Sequence, residues 1–244
     1  MVKKKKISAG DRTFHIAVLV IVLLMCVITL YPIYYMLIVS ISDGNAVLRG
    51  DITILPKGIN FGAYKAVLSN EYVPKAYLNT LIYTVAGTLV SVGMTALCAY
   101  PLSRKEFYGR GIFTGIVVFT MFFDAGIISN YMVVQSAGLM NSIWAIILPG
   151  AINVWYMIIM RTFFSDIPEE LFESARLDGA NDLTIFVKMV LPLSKAVLAT
   201  MVLFYAVGFW NQWLQPLIYL NDRSRFPMQL ILRNIVLGTD AALS

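Results

Sequence analysis

ESARLDGANDLTIFVKMVLP, residues Glu173–Pro192, is a polar, charged stretch set between two long apolar segments. The whole insertion, 165–195, reads as a helical hairpin. Asp166-Ile167-Pro168-Glu169 is a capping-box-like opening, with Asp166 as acceptor and Glu169 three residues on. Pro168 suits a first helical turn, where a missing N–H costs nothing. Glu169 and Glu170 stand where the helix dipole favours anions. The first helix runs to about Leu177, and Asp178-Gly179 ends it, because glycine supplies the left-handed backbone of a helix stop. Asn181 or Asp182 then caps a second helix ending near Pro192. Leu171, Phe172 and Ala175 share one face of the first helix, and Ile185, Phe186 and Met189 one face of the second. Local signals alone leave two readings open: a solvated loop turned by a glycine, or a docking element.

Around the hairpin the chain is apolar. It is 59% hydrophobic and 14% charged over 244 residues, with a mean hydropathy of +0.74; an ordinary soluble domain carries about 25% charged residues. Five runs reach the roughly 20 residues that cross a bilayer: 14–41, 80–101, 111–129, 142–164 and 196–220. Spans in lipid must satisfy their own backbone groups, so all five are expected as helices. The fold class is therefore all-α, a polytopic membrane bundle. The Lys3–Lys6 run precedes an apolar stretch too long for a cleavable signal, so that stretch is expected to remain as the first span.

Sidedness follows from the basic residues. With the N-terminus inside, Lys3–Lys6, Arg12, Arg104, Lys105, Arg110, Arg161, Arg176, Lys188 and Lys195 fall in the cytoplasm. Fewer fall outside, in the loop 42–79 and in a tail holding Arg223, Arg225 and Arg233. The hairpin then presents its small and apolar residues to the cytoplasm, rimmed by Glu173, Arg176 and Asp178. The basic residues are topology signals, and no basic face with interleaved aromatics suggests nucleic acid. Cys26 and Cys98 fall within spans and read as small apolar packers.

Polar residues within the spans are sparse. Thr80, Thr84, Thr88, Ser91 and Thr95 form one stripe on the second span. They either allow close helix packing or line a wet path. Asn211, Gln212 and Gln215 with Trp210 and Trp213 combine amides with flat aromatics, the chemistry of sugar recognition and also of a membrane aromatic belt. Asp124 is the one carboxylate near membrane depth; Gly126 just beyond it suggests that the helix simply ends there. His15 stands alone, and no G-x-x-x-x-G-K-[ST] loop is present, so no cofactor, metal or ATP site is expected.

Glu173, Ala175, Gly179, Leu191 and Pro192, at these spacings, resemble the EAA loop of permease subunits of binding-protein-dependent ABC importers. Ser174 stands where a second alanine is usual and Met189 where isoleucine is usual, both mild departures. Asn79-Thr80, Ala99-Tyr100-Pro101-Leu102-Ser103-Arg104, Ile167-Pro168-Glu169-Glu170-Leu171 and Trp210-Asn211 are similar to carbohydrate-type permeases. Within that group the pattern resembles the maltose-type G subunit and Gram-positive lipoprotein-cluster permeases.

The resemblance implies one permease domain over 1–244 in the bacterial plasma membrane. It also implies a second permease, cytoplasmic ATP-binding subunits, an extracellular solute-binding protein and a sugar substrate. Glu173, Ser174, Ala175, Asp178 and Gly179 would couple to the ATPase. Thr84, Thr88, Ser91, Trp210, Asn211, Gln212 and Gln215 are the pathway candidates. Such permeases have six spans and end in the cytoplasm, so a last span is expected to follow the five seen here. The alternatives are a fragment of an ion-coupled secondary transporter, which needs ionisable pairs at mid-membrane, and a membrane-embedded enzyme, for which Asp124 is the sole candidate acid.

Overall fold

The computed structural model describes residues 9–69, 72–123 and 125–237. Lys3–Lys6, Asp124 and the end of the tail, which figured in the sequence reading, lie outside them. The described residues are helices joined by turns, in two compact units, 1–70 and 71–244.

In the first unit α1 (Ala9–Ser40) is a single long apolar helix. Helix α2 (Gly44–Leu48) begins at Asp43, whose carboxylate accepts from the Asn45 N–H at 3.1 Å. Helix α3 is Gly62–Ser69, and its Tyr64 hydroxyl meets that of Ser40 at 2.8 Å.

The second unit is organised around α4 (Tyr72–Ser103), long enough to cross a membrane alone. It is followed by α5 (Arg110–Phe122), α6 (Gly126–Ser136), α7 (Ile143–Ile147), α8 (Val154–Ser165) and α9 (Glu169–Leu177). Next come α10 (Asp182–Ile185), a π-helical turn at Phe186–Val190, α11 (Leu191–Leu193) and α12 (Lys195–Trp210). Helices α13 (Leu214–Tyr219) and α14 (Met228–Val236) complete it. The most extensive packing of α4 is against α12 and α8. Phe164, Met157, Met160, Val190 and Met201 are fully buried at the centre of this core.

Among the described residues two helices are long and apolar enough to span alone, and up to five spans result if each bent pair counts as one. The last three sequence spans are thus not straight rods. The fourth breaks between α7 and α8 with a 57° bend, where Pro149-Gly150 interrupts the helix and Asn153 recaps it, its side chain accepting from the Tyr156 N–H. The fifth stops at Trp210 rather than reaching Leu220. There Asn211 turns its side-chain N–H back onto the Val207 carbonyl at 2.9 Å, and Pro216 lies in the next short helix. Before α12 the chain bends by 83°, so the hairpin's second helix runs into the fifth span at a sharp angle.

Candidate functional site

The hairpin closes as its turn chemistry requires. The Gly179 N–H donates to the Arg176 carbonyl at 2.9 Å and the Ala180 N–H to Ala175 at 3.0 Å, the paired bonds of a Schellman stop. Gly179 has φ +81°, in the left-handed region that favours glycine. Asn181 caps the second helix, its side chain accepting from the Thr184 N–H at 2.8 Å. Asp166 is not the cap of α9. It follows the last residue of α8, and Pro168 occupies the cap position without a side-chain acceptor.

The apolar faces point inward, not outward as the sequence reading expected. Phe172, Ile185 and Phe186 are buried in the core and Ala175 packs against it, because these faces cover the end of the bundle. Glu173, Ser174, Asp178 and Gly179 are exposed, along with Leu177 and Leu183. The tip therefore offers two exposed leucines among polar groups, a surface suited to a protein partner.

The seat of the hairpin is the end of α4. Arg104 is buried, pairs with Glu169, and lays its guanidinium over the Phe172 ring, 3.4 Å from the centroid. The Leu102 carbonyl accepts from Arg110 Nε at 3.0 Å and Arg161 Nε at 2.9 Å, cations at a helix C-terminus where the dipole favours them. Arg176 meets Glu106 at 2.5 Å and Asp182 at 3.7 Å, and the hydrogen bond it donates to the Glu106 carboxylate holds its pKa above the ordinary arginine value. Tyr100 rests on Phe186, ring centres 5.0 Å apart.

The amide cluster lies in a cavity of about 420 Å³. Asn211, Gln212 and Gln215 line it with Trp213, and the fold adds Asn153, Tyr156 and Tyr205 from α8 and α12. No charged residue is among its lining residues. The Tyr205 hydroxyl is fixed by Thr95 at 2.7 Å and by the Asn153 N–H at 2.9 Å. The Gln212 side-chain oxygen is buried without a hydrogen-bond partner among the described residues. Trp210 and Thr84 meet Asn211 in a smaller cavity of about 230 Å³, where Trp210 also contacts Tyr77 edge-on. Thr88 and Ser91 reach neither cavity. With Thr84 they are buried on the α4 face that packs on α12, their hydroxyls unpartnered among the described residues.

Asn153, Tyr156 and Tyr205 escaped the sequence reading. The signal was present, since tyrosines and an asparagine inside apolar runs each need a polar partner.

A family model described as "Binding-protein-dependent transport system inner membrane component" matches residues 62–241. The chain is 40% identical to the polygalacturonan/rhamnogalacturonan transport system permease protein YtcP of Bacillus subtilis, over 93% of this chain and 79% of that one. It is 39% identical to protein LplC of the same organism, over 87% of this chain and 72% of that one. A solved bacterial ABC transporter involved in the import of the acidic polysaccharide alginate contains a chain 36% identical, with a TM-score of 0.88. That match covers 95% of this chain and 82% of the solved one.

Proposed function

The chain belongs to the inner membrane components of binding-protein-dependent transport systems, and from that membership we propose how its two sites divide the work. It acts as a permease subunit of an ABC importer that takes a saccharide inward, while ATP is hydrolysed on separate cytoplasmic subunits. The N-terminus is cytoplasmic, so the hairpin faces the ATPase and the loop 42–79 faces the binding protein. A second permease completes the pathway.

The observation that carries this reading is the hairpin's arrangement: apolar faces buried in the bundle and a capped, exposed tip at Glu173–Asp178. An ion-coupled transporter would place ionisable pairs between its spans. Among the described residues the buried charge is Arg104, at the hairpin seat. Glu173→Lys should lower recovery of the ATP-binding subunit in co-purification several-fold without changing the amount of permease in the membrane, because the side chain is exposed and outside lipid. Undiminished recovery with normal ATPase stimulation would place the contact elsewhere.

The cavity supplies the saccharide side. Amides and tyrosine hydroxyls bond sugar hydroxyls, and Trp213 offers a ring for the apolar face of a pyranose. Arg233 of α14 holds its guanidinium 4.9 Å from the centre of the Trp213 ring, and no carboxylate lines the cavity. A cation near an acid-free cavity favours an acidic saccharide, in keeping with the polygalacturonan and alginate importers among the relatives. Trigalacturonate uptake by the reconstituted importer should exceed that of its neutral methyl ester. Gln212→Leu should cut uptake roughly five- to tenfold, the scale of one lost hydrogen bond. Equal uptake of both probes would remove the charge preference. Uptake unaffected by Gln212→Leu would remove the cavity from the path.

A further inference from the structure

We propose that Arg104 is the positioning residue through which movement of the hairpin reaches α4, an inference that rests on the hairpin being the coupling element. The chain itself joins the hairpin to α8 and α12 alone. Helix α4 has no covalent link to it, yet α4 packs along both of those helices. If the hairpin tilted without α4, the α4–α12 contact would shear. That contact includes the Thr95–Tyr205 hydrogen bond, and Tyr205 lines the cavity.

Arg104 supplies the missing link in one side chain. It directly follows α4, and its side chain is 8% exposed. Its guanidinium touches α9 in two ways, stacked on the buried Phe172 ring and paired with Glu169 one turn earlier. One planar guanidinium can stack on a ring while a terminal nitrogen donates to a carboxylate, as Arg104 does here; a lysine ammonium has no plane to stack. Two further ties between the hairpin and this end of α4 are weaker in kind. Arg176–Glu106 is an exposed ion pair, and Tyr100–Phe186 is a ring contact. The backbone that carries Arg104 is itself held in place: Arg110 and Arg161 bind the Leu102 carbonyl, and the Ser165 hydroxyl donates to the Ser103 carbonyl at 3.3 Å. A pull on Glu169 and Phe172 is thus delivered to a clamped helix end and not to a free loop.

The test uses the complete importer in lipid vesicles, with Cys26 and Cys98 replaced by alanine and spin labels at Val187→Cys and Leu89→Cys, both exposed positions. One label reports the hairpin and the other α4. With Arg104 present, the distance between them should be the same in nucleotide-free and ATP-trapped complexes, because hairpin and α4 move as one body. Arg104→Ala should make that distance shift by several ångströms on ATP trapping, while the ATP-binding subunit still co-purifies. Arg104→Lys should do the same to a lesser degree, and it serves if the alanine variant does not assemble. An invariant distance in both variants would overturn the proposal. A distance that already shifts with Arg104 in place would also overturn it. If the unlabelled parent permease does not co-purify the ATP-binding subunit, or does not lose it with Glu173→Lys, the coupling reading of the hairpin itself fails, an outcome distinct from the others.

Discussion

Gly179→Val is expected to abolish coupled uptake, and Gly179→Asn to retain most of it. The pair separates backbone conformation from space. A Cβ at residue 179 would meet no atom within 4 Å, so a larger side chain fits. The constraint is the φ of +81°, which costs a β-branched residue about 1–3 kcal/mol. Asparagine visits this region far more readily. Valine relieves the strain by giving up the Ala180 and Gly179 bonds that stop α9, and the second helix is then re-aimed from its first residue. The strain sits at an exposed tip, so the bundle should fold and reach the membrane in normal amounts. The measurement is uptake against ATP hydrolysis in vesicles at matched permease levels. Transport by the valine variant at the parental rate would mean that the angle between the hairpin helices does not matter.

That turn was legible in the sequence because its causes are local. A glycine stop and an asparagine cap act within a few residues, and Gly179 and Asn181 take the roles that their chemistry suggests. The direction of the apolar faces was not legible. Phe172 and Ile185 look the same in sequence whether they face a partner or the bundle end; tertiary packing decides, and here it buries both. Hydropathy averaged over a span also hid the breaks at Asn153 and Asn211, since one amide hardly alters an apolar window. The cavity could not be read for a different reason. Its polar groups come from α8, α12 and the segment after α12, so no single stretch displays them together. Arg104 read as one more topology charge. Its burial against Phe172 is a contact across 68 residues that spacing does not encode.

Gly87→Leu is expected to destabilise the purified complex by about 1–3 kcal/mol, the usual cost of overpacking a filled interface. Gly87 lies on α4 between Thr84 and Thr88, on the buried face that packs on α12. A Cβ there would stand 2.7 Å from the Phe209 ring, closer than real contacts allow. The ring can yield only toward the cavity whose wall it forms, because the rest of Phe209 is packed in the core. Helix propensity alone points the other way, since replacing glycine in a helix interior gains up to about 1 kcal/mol. A fall in the thermal midpoint would therefore report the interface and not the helix. Uptake should fall with it, because either α12 moves off α4 or the ring is pushed toward the cavity. Phe209→Ala makes the opposite error and leaves a void costing about 3–5 kcal/mol. Combining the two places added volume beside lost volume, so the double variant should lose less stability than the sum of the singles. A thermal midpoint unchanged by Gly87→Leu, or strictly additive losses in the pair, would show that α4 and α12 do not meet at this glycine.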